Sequence, residues 1–102
     1  MSEITSIELQ NGQRQTLRLQ GRGTVGYSWT FELSDPNVVR VTIEPAPAYE
    51  LTGKPQGTSL DELVMIEGVR VGRATIRLAL RRAWERTGKT LDERTVEVSV
   101  VP

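Results

Sequence analysis

Apolar side chains recur at every second position along most of this chain, which is the period of a strand with one buried face. In the clearest case, apolar residues at 74, 76, 78 and 80 lie on one face between Arg73 and Arg81, and the polar residues at 73, 75, 77 and 81 lie on the other. The same period predicts seven or eight strands. The seven clearest run from Ile4 to Leu9, Gln15 to Gln20, Tyr27 to Leu33, Val38 to Ile43, Leu60 to Ile66, Arg73 to Arg81 and Thr95 to Val101.

Turn-forming residues separate these strands at regular intervals. Asn11-Gly12 is a strong hairpin signal between the first two strands, and Ser34 to Asn37 carries a proline at a favoured turn position. Residues 44–59 hold three prolines and two glycines, so they are expected to be mostly loop. We therefore predict an all-β, immunoglobulin-like antiparallel β-sandwich of seven to eight strands, in one domain over residues 1–102. A helix longer than two turns between Tyr27 and Arg82 would contradict this prediction.

The two faces of the predicted strands differ in character. On the outer face, Arg73, Arg77 and Arg81 form an arginine stripe. Either the stripe binds a polyanion, or its arginines pair with Glu93 and Glu97 and block edge-to-edge aggregation. The lack of interleaved aromatic residues favours the second interpretation. The inner face supplies the predicted core: Trp29, Phe31, Ile76, Leu78, Leu80, Val96 and Val98.

Composition argues against several classes of function. The 102 residues include 13 basic and 13 acidic side chains, so no global field attracts nucleic acid or a membrane. There is no cysteine and no histidine, which removes disulfides, thiol chemistry, the commonest general base and the commonest metal ligand. We predict no enzyme activity, no cofactor and no metal site. The compartment stays open, because no signal peptide is visible. The chain as written would be cytoplasmic, or periplasmic or secreted if a leader has been removed.

Two further patterns carry no predicted chemistry. Asp61-Glu62 and Asp92-Glu93 are neighbours in sequence, so on strands they point to opposite faces and cannot form a catalytic pair. We interpret them as surface charge. Gly21 to Gly26 matches the dinucleotide fingerprint G-x-G-x-x-G as a string of letters. That fingerprint requires a helix after the third glycine, and here a strand pattern follows.

Two segments stand out from the scaffold. A glycine-rich loop beginning at Gly21 leads directly into a strand that carries Tyr27 and Trp29. Farther on, Arg82-Ala83-Trp84 places a lone tryptophan among charged residues. Tryptophan and arginine dominate the energetic hot spots of protein interfaces, so Trp84 is interpreted as an interface anchor. The alternative is that Trp84 packs over the end of the sandwich.

Together these segments resemble the binding loops of the chagasin-like inhibitors of papain-family cysteine peptidases. The family's first loop usually reads Asn-Pro-Thr-Thr-Gly-Tyr-x-Trp, and its last loop reads Arg-Pro-aromatic. Arg82-Ala83-Trp84 keeps the two ends of the last motif. The glycine-rich middle loop has its best counterpart in Gly53-Lys54-Pro55-Gln56-Gly57. The positions that match the first loop are Thr24, Gly26, Tyr27 and Trp29.

The resemblance implies three loops side by side at one end of the sandwich, filling the V-shaped active-site cleft of a papain-like cysteine peptidase. It implies that Thr24 lies nearest the catalytic pair and that Trp84 stacks on the cleft wall. Glycines at 23 and 26 would let the first loop turn too sharply to be cleaved. A monomer that inhibits reversibly is expected. The expected peptidase-binding residues are Gly23, Thr24, Val25, Gly26, Tyr27, Gly53, Gly57, Arg82 and Trp84.

The chain departs from the family pattern at four positions. Arg22 and Val25 replace asparagine and the second threonine, while Gly23 and Ala83 replace prolines. Loss of both prolines raises the entropy of the free loops, which predicts reduced affinity or a target other than a standard papain-like enzyme. The alternative function is an immunoglobulin-like adhesion or accessory module that binds a protein or glycan without inhibiting a peptidase.

Overall fold

The structure, a computed structural model, describes residues 3–23, 26–82 and 90–102. A 3-10 helix, Ala48–Leu51, lies in the long connection before the fifth strand. No described helix is long and apolar enough to cross a membrane. The strands are β1 (Glu3–Gln10), β2 (Arg14–Leu19), β3 (Tyr27–Leu33), β4 (Val39–Pro45), β5 (Glu62–Gly68), β6 (Gly72–Arg82) and β7 (Asp92–Val101).

The strands form two sheets that pack face to face. One sheet has the order β1-β7-β6-β3 and the other has the order β2-β5-β4. All paired strands are antiparallel except β1 and β7, which run parallel at one edge of the larger sheet. The predicted immunoglobulin-like sandwich is thus confirmed, with one parallel pair added.

The core lies between the two sheets and contains six of the seven residues predicted for it. Phe31 is the exception, because 39% of its surface is exposed. Its register opposite Leu78 places it on the inner face. However, β3 is the edge strand of the four-stranded sheet, and the three-stranded sheet leaves that edge partly uncovered. The predicted core residues that are buried are Trp29, Ile76, Leu78, Leu80, Val96 and Val98.

The predicted hairpin at Asn11-Gly12 is wrong, although the turn itself is present. Gly12 has a φ of +91°, as a tight turn requires. The strands on either side belong to different sheets, since β1 pairs with β7 and β2 pairs with β5. Asn11 donates its N–H to Val101, and Gly12 donates its N–H to Gly68, each at 2.8 Å. The turn therefore bonds to both sheets, and its local chemistry fixes the chain reversal without fixing the pairing.

The arginine stripe does not guard a sheet edge, so that interpretation is also wrong. Strand β6 lies between β3 and β7, with both sides paired. Arg77 lies opposite Glu32 and diagonal to Glu93 and Glu97. In the part of the chain that the structure describes, no ion pair joins Arg77 to these carboxylates. Because charges of both signs alternate across this face, it is not a basic patch for a polyanion.

Candidate functional site

Three connections leave the sandwich at one end, here called the loop end. They are the first loop (20–26), the middle loop (46–61) and the third loop (83–91). Tyr27, which begins β3, lies opposite Arg82, which ends β6. In the other sheet, Glu62 at the start of β5 lies between Leu19 and Pro45, at the ends of its two neighbours. The bases of all three loops therefore lie together, as the strand order requires.

Trp29 ties the base of the first loop to both sheets. Its side chain is buried, with 5% exposed. The indole N–H donates to the carbonyl oxygen of Gln20 at 3.0 Å. Its backbone N–H donates to the carboxylate of Glu62 at 3.3 Å and 3.4 Å from the two oxygens. Trp29 on β3, which leaves the first loop, thus binds Gln20, at the end of the strand that enters this loop, and Glu62 on β5 of the facing sheet.

Gly21 presses the first loop directly against the middle loop. A Cβ at this position would overlap the backbone carbonyl of Leu60, which cannot rotate away. Gly23 is different, because it is exposed, it lacks a positive φ and no atom lies within 4 Å of its Cβ position. A sharp turn does begin at Gly23, whose carbonyl accepts the N–H of Gly26 at 3.0 Å, but the structure shows no need for glycine at 23. Gly26 has that need, because its φ is +87°.

Tyr27 and Arg82 join the bases of the first and third loops. The guanidinium carbon of Arg82 lies 4.8 Å from the centroid of the Tyr27 ring, which is the geometry of a cation–π contact. Tyr27 also donates its backbone N–H to the carbonyl of Arg22 at 3.1 Å, closing the first loop. Both side chains are half-buried. These two predicted site residues therefore contact each other, and each holds a loop base.

Two glycines shape the middle loop. Gly53 and Gly57 have φ angles of +79° and +89°, which residues with a Cβ rarely adopt. Open space surrounds both positions, so conformation alone explains the need for glycine. Directly after Gly57, the hydroxyl and the backbone N–H of Thr58 both donate to the carbonyl oxygen of Pro55, at 2.7 Å and 3.2 Å. The loop has a defined shape at the position expected to face a partner.

Arg18 on β2 holds the middle loop from the side, a role that the sequence analysis missed. Its guanidinium donates to both oxygens of Glu50, at 2.7 Å and 3.2 Å, and to Asp61 at 3.2 Å. These hydrogen bonds lower the pKa of Glu50 and raise the pKa of Arg18. Arg18 thereby connects Glu50 in the 3-10 helix to Asp61 at the exit of the loop. Because the groups face solvent, the network contributes geometry more than stability.

Glu62 faces inward, so its interpretation as surface charge is wrong, whereas Asp61 is a surface charge paired with Arg18. It is in phase with the fully buried Val64 and Ile66 on β5. Partial burial raises the pKa of Glu62, and the hydrogen bond from Trp29 partly offsets this effect. The signal was present in the sequence, because the alternation that buries Val64 also turns Glu62 inward.

Three of the predicted site residues, Thr24, Val25 and Trp84, lie outside the described residues. Their described neighbours are Gly23, Gly26 and Arg82, all at the loop end. Across the described ranges, no group of three or more histidine, cysteine, aspartate or glutamate side chains could hold a metal ion.

The fold and the loop end define an immunoglobulin-like sandwich with three loops gathered at one end. The family model described as chagasin family peptidase inhibitor I42 matches residues 8–100. The chain therefore belongs to the chagasin family of peptidase inhibitors. A search of curated proteins found no match.

Solved structures of similar fold include three of particular interest. The cysteine protease inhibitor EhICP2 from Entamoeba histolytica is 16% identical, with a TM-score of 0.74, over 98% of this chain and 95% of that one. Amebosin is 25% identical, with a TM-score of 0.67, over 98% and 96% of the two chains. PbICP-C, solved in complex with falcipain-2, is 16% identical, with a TM-score of 0.71, over 99% and 90%. The two structures at 16% identity show that this chain shares their fold.

Proposed function

We propose that this chain is a reversible inhibitor of papain-like cysteine peptidases that inserts the three loops of the loop end into the active-site cleft. The observation that carries the proposal is the common position of the three loop bases, set by the registers of β3 with β6 and of β5 with its neighbours. Membership of the chagasin family supports the activity, and the complex of PbICP-C with falcipain-2 supports the class of target.

The described contacts explain how such loops would bind without being cleaved. Trp29, Gly21 and the Tyr27–Arg82 pair hold the bases of the loops, so little conformational entropy is lost on docking. The positive φ of Gly26 turns the backbone away from the extended form that a peptidase cleaves. In this proposal Thr24 lies nearest the catalytic pair and Trp84 stacks against the cleft wall as an aromatic anchor.

We further propose that the chain has no enzyme activity of its own. The family is one of peptidase inhibitors, and the sequence has no histidine or cysteine to act as a general base or thiol nucleophile. Three carboxylates at the loop end have structural partners: Glu50 and Asp61 bind Arg18, and Glu62 accepts the N–H of Trp29.

Inhibition constants of the wild type and three variants against papain test the proposal. Trp84→Ala should weaken inhibition by ~2–4 kcal/mol, the cost of losing an aromatic anchor. Thr24→Ala should cost about 1 kcal/mol, because one hydroxyl contact is lost where water can compensate. Arg73→Ala is the control, since Arg73 is exposed on the outer face of β6.

Neither loop variant should change the folding midpoint, because the proposal gives both side chains a role in binding the peptidase and none in the core. If Arg73→Ala weakens inhibition more than Trp84→Ala does, the proposal has put the binding site on the wrong part of the molecule. A wild type that binds papain without inhibiting it would favour the alternative, a binding module.

A further inference from the structure

An apolar groove of about 400 Å³ opens between the first loop and the middle loop. It lies where the strand edges of β3 and β4 come together at the loop end. Gly23 and Tyr27, both predicted to bind the peptidase, form part of its lining. The groove is therefore continuous with the proposed interface, and a bound peptidase would lie over its mouth.

The walls of the groove are mostly apolar and its charged lining residues are acidic. Ile43, Leu51 and Leu60 supply aliphatic surface, and the carboxylates are those of Glu44 and Glu62. No lysine or arginine lines it among the residues that the structure describes. In a chain with no net charge, this groove has a local negative character.

Glu62 has capacity for another donor. An ionised carboxylate offers about four lone-pair sites. The described hydrogen bonds of Glu62 use one donor, the backbone N–H of Trp29. Partial burial already raises the pKa of Glu62, so the charged form is costly until a cation approaches. An apolar side chain in the groove would remove more water from Glu62 and offer nothing in return.

We propose that the groove receives a lysine or arginine side chain of the bound peptidase, with its aliphatic stem against Leu51 and Leu60 and its cationic end at Glu62. This proposal rests on the proposed function. Long basic side chains have the required shape, because they bury their methylene stems and present a charged tip. A charge pair covered by the interface would strengthen binding and fix the orientation of the bound peptidase.

The groove is tested first without a peptidase, by NMR titration of the whole chain with n-hexylammonium and, separately, with 1-hexanol. The amide signals of Trp29 and Leu60 report on binding. We expect hexylammonium to bind several-fold more tightly than hexanol. Glu62→Gln keeps an acceptor for Trp29 and should abolish the preference, while Glu32→Gln, on the outer face of β3, should keep it. Equal binding of the two probes, or an unchanged preference in Glu62→Gln, would overturn the proposal.

The second arm measures inhibition of papain by the same variants. Glu62→Gln should raise the inhibition constant about tenfold or more, as expected for an interfacial charge left unpaired, and Glu32→Gln should not. If the wild type inhibits and Glu62→Gln inhibits equally well, the proposal fails while the proposed function stands. If the wild type does not inhibit at all, the proposed function fails. The proposal that a peptidase side chain occupies the groove then fails with it. The hexylammonium preference would then persist as a property of the groove alone.

Discussion

Gly21→Ala is the substitution that should most clearly separate this structure from other arrangements of the loops. The added methyl group would overlap the backbone carbonyl of Leu60, so a side-chain rotation cannot relieve the contact. The first loop would have to move away from the middle loop. Overpacking of this kind costs about 1–3 kcal/mol. For a domain of this size, each kcal/mol lowers the melting temperature by about 4–8 °C, so we expect a fall of roughly 5–20 °C.

Gly23→Ala, two residues along the same loop, is the matched control. Gly23 has open space at its Cβ position and no positive φ, so this variant should melt as the wild type does. Thermal unfolding by circular dichroism and inhibition of papain would be measured for both variants. Gly21→Ala should also weaken inhibition, because the two loops no longer share one position. Equal melting temperatures for the two variants would refute the close contact between the loops.

Three other substitutions test the site. Trp29→Phe should destabilise the fold by about 2–4 kcal/mol in urea unfolding, because the Gln20 carbonyl loses its indole donor and the smaller ring leaves a void; a loss below 1 kcal/mol would contradict this. Gly57→Ala should cost about 1–2 kcal/mol, from the positive φ alone, and an unchanged midpoint would show that the loop takes another shape. Glu62→Gln tests pH dependence. Because folding raises the pKa of Glu62, the native state holds the proton of this carboxyl more tightly than the unfolded chain does. The contribution of Glu62 to stability therefore falls as the pH rises through the folded pKa. Glu62→Gln lacks that loss, so its stability relative to wild type should increase from acid to neutral pH. If the stabilities of the two proteins change in parallel with pH, the burial of Glu62 is contradicted. Glu50, whose pKa is lowered by Arg18, acts in the opposite sense, and its contribution is lost as the pH falls through its folded pKa.

Strand positions were predictable because period-two alternation reflects burial directly. Residues of β6 show this best, since Ala74, Ile76, Leu78 and Leu80 are all buried in the core. Phe31 shows the limit of the pattern. Its face was predicted correctly, but its exposure depends on the unequal widths of the two sheets, which alternation within one strand does not encode. The partner of β1 was missed for a related reason, because the Asn11-Gly12 turn fixes a reversal and leaves the choice of sheet open.

The loop end divides in the same way between local and long-range effects. The turn at Gly26 is a local property, and the glycine pattern of the first loop indicated it. The need for glycine at 21 arises from a backbone carbonyl that lies far along the chain, so the sequence around it carries no sign of the contact. Arg18 binds acidic groups from a segment more than thirty residues away, which only the folded topology brings within reach.

Hydrogen–deuterium exchange of the complex with papain tests the central claim most directly. Binding through the loop end predicts protection of residues 20–27, 46–60 and 82–91. The turns at 11–13, 34–38 and 68–72, at the opposite end of the sandwich, should exchange as they do in the free protein. Protection of those turns, with the three loops unchanged, would contradict the claim that this chain inhibits peptidases through its loop end.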